Sequence, residues 1–373
     1  MNVARKKMIL VASYAPSLIN FRGKLIESAI ARGWDVVVMA PDFDAAMRDA
    51  LQRLGANPLT YSLQRTGMNP VLDIKSLLSL YRIFCREKPD VVLSYTIKPV
   101  IYASLAARMA GVKSVYSMIT GLGFSFSGKG WKQKIVSNIV SRLFRRALEK
   151  NKRVFFQNPD DRDFFESKAF VTKGQSVIIN GSGVDVNHFI VETLPTEPQF
   201  LMIARLLKEK GVYEYIEAIR QVKKIYPDIT CCLAGWIDDA PTAIKKKELD
   251  AWVADGLVCF LGKLSDVRPA IAACSIYVLP SYREGTPRTV LEAMAMGRAV
   301  ITTDVPGCRE TVKHDDNGLL VEGKSAQALA DAMIELIENQ SKVIQMGASG
   351  RRIAELKYDV HRVNASILDV ILV

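Results

Sequence analysis

The sequence predicts an α/β protein of two consecutive domains, each built on a doubly wound parallel sheet. Short apolar segments alternate with amphipathic helical patterns, which is how parallel strands joined by crossover helices read in sequence. The alternation runs through twice, on either side of a turn- and proline-rich stretch from Val191 to Gln199. At 373 residues the chain is long enough for two hydrophobic cores.

In the first half the predicted strands are Met8–Ala12, Val36–Met39, Val91–Ser94, Ser114–Ser117 and Val154–Gln157. Helical periodicity fills the intervals at Arg22–Arg32, Asp44–Leu54, Asp73–Arg86, Val100–Met109 and Trp131–Lys150. Arg5-Lys6-Lys7 ahead of Met8–Ala12 imitates a signal peptide. The apolar stretch is too short and leads straight into a helical pattern, so a first buried strand is expected. The second half repeats the scheme with strands at Phe200–Ala204, Thr230–Ala234, Val258–Leu261, Ile276–Pro280 and Ala299–Thr303. An amphipathic helix follows from about Tyr358 to Val373. The domains are set at 1–190 and 196–357.

Hydrophobic content is 49% and charged content 24%, ordinary for a folded chain. No run of about 18 uncharged apolar residues exists, so no transmembrane helix is expected. The six cysteines, at 85, 231, 232, 259, 274 and 308, form no C-x-x-C pair and fall mostly in apolar segments. Reduced core thiols in a cytosolic protein are expected. The net charge of +11 points to phosphorylated ligands, anionic lipid or nucleic acid. Nine cations between Lys129 and Arg153 face a single acid, Glu149. Apolar residues at helical spacing in this run, such as Ile139, Val140, Leu143 and Phe144, must pack on the sheet, leaving a basic outer face suited to an anionic membrane surface. Nucleic acid is not expected, because the run has no interleaved aromatics beyond Trp131 and Phe144.

After the strand Ile276–Pro280 the chain reads E-G-T-P-R-T-V-L-E, placing Glu284 and Glu292 eight residues apart. Thr286 is expected to cap a helix whose first residue is Pro287 and which Gly297 ends. Glu284 then lies on the loop and Glu292 inside the helix, with the helix N-terminus and Arg288 forming an anion site between them. Two carboxylates around a phosphate cradle suit a nucleoside diphosphate sugar. Arg205 and Lys210 follow the first strand of the second half, where such sheets bind ligands, and would neutralise a diphosphate. Solvated salt bridges to Glu209 or Glu214 are the alternative for these two.

These words resemble the retaining GT-B glycosyltransferases of family 4, which carry E-x7-E at this point. A-R-L-L-K-E-K-G from Ala204 to Gly211, N-G-S-G-V-D from Asn180 to Asp185 and L-E-A-M-A-M-G-R-A-V-I from Leu291 to Ile301 are similar to theirs, in the same order. The resemblance implies two Rossmann-like domains facing a cleft, with residues from about 358 to 373 crossing back to the first domain. It implies that the first domain binds acceptor and the second binds donor. Arg205 and Lys210 would hold the donor diphosphate, Glu292 the ribose and Glu284 the hydroxyls of the transferred sugar. Gly285, Thr286, Pro287, Arg288 and Thr289 would line phosphate or sugar. The segment with Lys263 and Leu264 would pack on the base, and Gly235 would allow close approach.

The first domain departs from the broad family. The loop after the first strand runs from Ser13 to Arg22 through Asn20-Phe21, without the Gly-Gly of many members, and Ile119-Thr120-Gly121-Leu122-Gly123 stands where many carry a histidine. Both resemble a subgroup that extends lipid-linked sugars, in which Asn20, Arg22, Thr120 and Gly121 would face the acceptor. A salt bridge from Arg22 to Glu27 is the competing expectation. The only histidines are 188, 314 and 361, so a histidine base or metal cluster is not expected. Asp161-Arg162-Asp163 matches a metal-binding D-x-D but sits at a helix start, where acids cap. The expectation is therefore a metal-independent hexosyltransferase without cofactor. It would move a hexose or N-acetylhexosamine from a UDP-sugar to a polyprenyl-diphosphate-linked saccharide, as a cytoplasmic enzyme on the inner face of the plasma membrane. A UDP-sugar 2-epimerase of the same architecture is the enzyme alternative, and a basic nucleic-acid-binding protein the non-enzyme one.

Overall fold

The structure is a computed structural model describing residues 5–64, 69–121 and 131–372, without the side chains of 131–136. The chain forms two compact units, Met1–Ser182 with His361–Val373, and Gly183–Val360. The first contains seven parallel strands: β1 (Lys7–Val11), β2 (Asp35–Ala40), β3 (Asn57–Thr60), β4 (Val91–Tyr95), β5 (Ser114–Ile119), β6 (Arg153–Phe156) and β7 (Ser176–Ile178). Their order is β3-β2-β1-β4-β5-β6-β7. The second contains β8 (Gln199–Ile203), β9 (Thr230–Ala234), β10 (Cys259–Gly262), β11 (Ile276–Leu279), β12 (Ala299–Thr303) and β13 (Gly318–Val321), ordered β10-β9-β8-β11-β12-β13. Both sheets are doubly wound, with the strand order reversing between β1 and β4 and between β8 and β11.

Alternation along the strands explains why helices cover both faces of the first sheet. Ile9, Val11, Val37 and Val92 point to one face, packing with Leu80, Phe84, Ile101, Val140 and Phe144. Met8, Leu10, Val36 and Leu93 point to the other, packing with Leu25, Ile26 and Ala29. Fully burying such side chains contributes about 1.5–3 kcal/mol each. The helix Val360–Ile371 joins this second face through Val363, Ile367, Leu368 and Ile371, so the chain's end does return to the first unit. Arg32 Nη1 fixes it to Asp369 Oδ1 at 2.7 Å.

The stretch 191–199 lies inside the second unit rather than between the two. The chain leaves the first unit earlier because Val184, Val186 and Phe189 already enter the second core. Val184 N donates to Tyr358 O at 2.8 Å, and Val360 N to Val184 O at 2.9 Å, tying both crossings together within this unit. The cysteines divide differently from the expected buried set. Cys231, Cys274 and Cys308 are buried, Cys232 is half-buried, and Cys85 and Cys259 are exposed. Helix and edge-strand positions put the last two outside the cores.

Candidate active site

In the second unit the β8 and β11 ends lie side by side at the reversal of strand order, where parallel α/β sheets bind ligands. The loop after β8 carries Arg205 and a short 3₁₀ turn, Lys208–Lys210. Gly211 follows with φ of +77°, and a Cβ there would stand 2.1 Å from Pro280 O. Only glycine lets this loop press against the end of β11. Tyr282 N completes the union by donating to Glu209 O at 2.9 Å.

The result is that Lys210 Nζ meets Glu284 Oε1, an ion pair with both side chains largely buried. Ser281 Oγ donates to the same carboxylate oxygen at 2.7 Å. From the other side, Glu284 N donates to Pro306 O at 2.9 Å. Gly307, with φ of +86°, would drive a Cβ to 2.1 Å from Glu284 O, so a second glycine fixes the loop that bears the carboxylate. Glu284 is thus positioned from three segments.

The helix after the loop is Arg288–Ala295, with Pro287 rather than Thr286 as N-cap and no side-chain cap. The extended ψ of 109° at Pro287 moves the start one residue later than expected. Glu292 is 6% exposed, and its Oε1 accepts from Arg288 Nε at 2.8 Å. Burial raises its pKa above the ordinary carboxylate value, against the opposing pull of Arg288.

Arg205 is half-exposed and pairs with neither Glu209 nor Glu214. Its Nη1 meets Asp238 Oδ2 at 3.0 Å, while Glu214 accepts from Tyr282 Oη. Asp238 follows β9, as do exposed Trp236 and Ile237. Lys263 Nζ lies 5.3 Å from the centre of the Trp236 ring, so the loops after β9 and β10 meet through a cation and an indole. Leu264, next to Lys263, is half-buried. The conformational demand at Gly235 is internal, since a Cβ there would fall 1.8 Å from Ala204 O. Trp236, Asp238, Ser281 and Gly307 lie outside every motif read in the sequence, whereas Gly211 closes A-R-L-L-K-E-K-G. Only the two glycines, as turn formers, gave a signal in the sequence.

Cys308 lies beside this cluster, near Thr302 and Thr303, and burial pushes its thiol up to about 12. It is therefore protonated at neutral pH and is not an activated nucleophile. Among the described residues, no group of three or more His, Cys, Asp or Glu side chains is placed to hold a metal ion. Asp161 serves its helix: its N donates to Asn158 Oδ1 at 2.8 Å, its Oδ2 accepts from Asn158 Nδ2 at 3.3 Å, and it is buried.

In the first unit the corresponding reversal lies at the ends of β1 and β4. Thr96, just beyond β4, has φ of +68°, a strained conformation for a β-branched residue, and its Oγ1 donates to Ser13 Oγ at 2.9 Å. Arg22 is only 2% exposed. Its guanidinium carbon lies 5.2 Å from the Tyr95 ring centre, and Nη2 is 2.7 Å from Met118 Sδ. Glu27 instead pairs with Lys24 at 3.0 Å. Asn20 is exposed, and Thr120 and Gly121, two and three residues beyond Met118, are half-buried. Leu122 and Gly123 lie outside the described residues.

Two family models cover most of the chain. Residues 185–353 match "Glycosyl transferases group 1" and residues 11–158 match "Glycosyl transferase 4-like". This chain is a GT-B glycosyltransferase. The glycosyltransferase is 27% identical over 357 residues, 92% of each chain, to N,N'-diacetylbacillosaminyl-diphospho-undecaprenol alpha-1,3-N-acetylgalactosaminyltransferase of Campylobacter jejuni. It is 25% identical over 283 residues, 72% of each chain, to UDP-Gal:alpha-D-GlcNAc-diphosphoundecaprenol alpha-1,3-galactosyltransferase of Escherichia coli. Its fold matches that of Anabaena Alr3699/HepE in complex with UDP-glucose at a TM-score of 0.78, with 20% identity over 97% of this chain and 98% of that one.

Proposed function

We propose that this glycosyltransferase moves a hexose or N-acetylhexosamine, with retention of configuration and without a metal ion, from a UDP-sugar to a polyprenyl-diphosphate-linked saccharide. The observation that carries this reading is the Lys210–Glu284 pair at the β8/β11 reversal, flanked by Arg205 and by the Arg288–Glu292 pair. Three cations each already paired with a carboxylate form a site that a diphosphate can enter by exchanging partners. Arg205 and Lys210 would take the diphosphate and stabilise its charge as it leaves. Glu284, released from Lys210, would accept hydroxyls of the transferred sugar, and Glu292 those of the ribose. Gly285, Thr286 and the amides of Arg288 and Thr289 would line phosphate and sugar, beside Pro287. Gly235, Lys263 and Leu264 stand on the base side, where Trp236 adds an aromatic surface.

The acceptor hydroxyl would attack on the face that the diphosphate leaves, donor phosphate taking its proton. No enzyme nucleophile enters this scheme, and positioning and charge stabilisation carry the rate. In the first unit Asn20, Thr120 and Gly121 would meet the acceptor. Arg22, buried against Tyr95 and Met118, supports their loop and would reach an acceptor phosphate only if that loop opened. The two undecaprenol-linked relatives support a lipid-linked acceptor.

A membrane-surface position, on the inner face of the plasma membrane, is part of the same proposal. On the helix Trp131–Leu148, Val140, Phe144, Ala147 and Leu148 enter the core while Arg142, Arg145 and Arg146 are exposed. Lys129 lies outside the described residues. The helix Pro70–Glu87 offers a second basic face, with exposed Val71, Ile74 and Leu78 alongside Lys75 and Arg82. Its acids point elsewhere: Asp73 pairs with Lys98 at 2.9 Å and Glu87 with Lys7 at 3.0 Å. Apolar residues framed by cations suit the interface of an anionic bilayer. No helix among the described residues is long and apolar enough to cross a membrane.

The test is a donor panel: UDP- and GDP-sugars are each incubated with a lipid-linked disaccharide, and nucleotide release and product mass are measured. Transfer from a UDP-sugar supports the reading. Transfer from a GDP-sugar alone overturns the donor assignment.

A further inference from the structure

Cys232 and Cys259 are direct register partners on the neighbouring parallel strands β9 and β10. Register partners point to the same face of a sheet. The two thiols interact with one another across the strand pair. β10 is an edge strand, and Cys259 is exposed there while Cys232 is half-buried. Neither cysteine takes part in the transfer chemistry, and each could be a serine or valine without loss of strand pattern.

We propose that Cys232 and Cys259 form a redox-active dithiol that a small-molecule disulfide of the glutathione type converts to a cross-strand disulfide. The exposed Cys259 thiolate attacks one sulfur of the small disulfide. A mixed disulfide forms, and one thiol leaves with a proton. Cys232, as thiolate, then attacks the Cys259 sulfur of the mixed disulfide and expels the second thiol. Both protein thiols are oxidised, one small disulfide is reduced to two thiols, and the two protein S–H protons end on those products. Burial raises the Cys232 pKa to about 11, so Cys259 is the sulfur that reacts first.

The spacing of the strands makes the bond possible and keeps it labile. Paired strands lie about 4.8 Å apart, toward the short end of the span that disulfides bridge, about 4.4–6.8 Å between Cα atoms. A bond closed under such constraint has a more oxidising potential than a structural disulfide and is readily reduced. Its effect would be felt at the strand ends. Gly235 N donates to Gly262 O at 2.8 Å, and Trp236 and Lys263 follow directly. A covalent bond between Cys232 and Cys259, three residues before each of these glycines, would hold the two loops together. On the donor-site reading given above, those loops border the nucleotide. That consequence rests on the donor reading, whereas the dithiol itself does not.

The experiment treats the full chain and its C232S and C259S variants with oxidised glutathione, followed by intact mass, peptide mapping and hydrogen exchange. In the native chain a species lighter by two hydrogens should appear, with peptides carrying Cys232 and Cys259 cross-linked and the link reversed by dithiothreitol. C232S should stop at a mixed disulfide on Cys259, and C259S should react at Cys232 at least about tenfold more slowly, given the burial of that thiol. The Gly235 amide should exchange more slowly in the cross-linked form. If the native chain stops at the mixed disulfide on Cys259, as C232S does, the dithiol proposal is overturned whatever the protein transfers. A UDP titration of the reduced and cross-linked forms reports the donor-side effect separately. About fivefold or greater difference in affinity is expected, and equal affinities would overturn the coupling alone.

Discussion

Lys210 and Glu284, 74 residues apart in the chain, form a largely buried ion pair at the ends of neighbouring strands. The pair neutralises a cation that would otherwise be left alone in a half-enclosed site. If Lys210 stabilises a leaving diphosphate, Lys210→Ala should lower turnover by roughly 10²–10³. Arg205→Ala should act similarly, although its partner Asp238 is more exposed. Initial rates at saturating donor check this. Unchanged kcat with raised KM in both variants would assign them to ground-state binding only.

Glu292 carries two opposite expectations. As the ribose acceptor, it should be needed for nucleotide binding, and Glu292→Ala should weaken UDP by about 1.5–3 kcal/mol, read by calorimetry. As a buried carboxylate with a raised pKa, it should cost stability. The folded chain holds this proton to higher pH than the unfolded chain does, so the native state binds more protons in the window between the two pKa values. Stability therefore falls as pH rises from about 4.5, the ordinary value, through the raised one. Glu292→Gln should raise the thermal midpoint at neutral pH, and the gain should vanish below that window. A destabilised Gln variant at neutral pH would show that the Arg288 pair outweighs burial.

The two glycines that hold the site should be intolerant of substitution. Gly211→Ala and Gly307→Ala each place a Cβ 2.1 Å from a carbonyl oxygen, deep inside van der Waals contact, in a left-handed conformation. Each should cost about 2–4 kcal/mol. Gly256, with φ of +64° and nothing within 4 Å of its Cβ, is the control. Gly256→Ala should cost only the conformational strain, roughly 1–2 kcal/mol. Thermal midpoints of the three variants give the comparison, and equal losses would mean that close packing at the site loops is not what requires glycine.

Membrane binding should depend on charge. The protein should sediment with anionic vesicles at low salt and be released as ionic strength rises. Reversing Arg142, Arg145, Arg146 and Lys150 to Glu should abolish this, while transfer to a short-chain soluble acceptor survives. Each basic residue near an anionic surface contributes about 1 kcal/mol, so losing four decides the outcome. Equal sedimentation by the native and reversed proteins would assign these cations to solvent.

The central strands were legible in the sequence because burial on both faces leaves continuous apolar runs, as in Val91–Tyr95 and Ile276–Leu279. The strands not anticipated, β3, β7 and β13, all lie at sheet edges. β3 begins Asn57-Pro58, β7 has three residues and no fully buried one, and β13 starts at Gly318. One-sided burial leaves such segments without a clear pattern. The helix Ile97–Met109, which includes Pro99, starts three residues before the expected Val100. The strained turn at Thr96 starts it earlier and places the proline in the first turn. At the site, the spacing of Glu284 and Glu292 and the position of Arg205 and Lys210 were readable. Their partners were not, because Lys210 reaches Glu284 through the packing of Gly211 on Pro280, and Arg205 meets Asp238 across two strand ends. Arg22, expected to face the acceptor or to pair with Glu27, is buried, since nothing local announces the Tyr95 ring that receives it.

The most direct measurement is the anomeric configuration and yield of product formed from a UDP-sugar and a polyprenyl-diphosphate-linked saccharide in the presence of EDTA, native protein against Lys210→Ala. Metal-free transfer by the native protein, with the donor's configuration retained and the Lys210→Ala rate lower by about 10² or more, is the predicted result. An inverted product, a strict requirement for Mg²⁺ or Mn²⁺, or a Lys210→Ala protein as active as the native one would contradict the account.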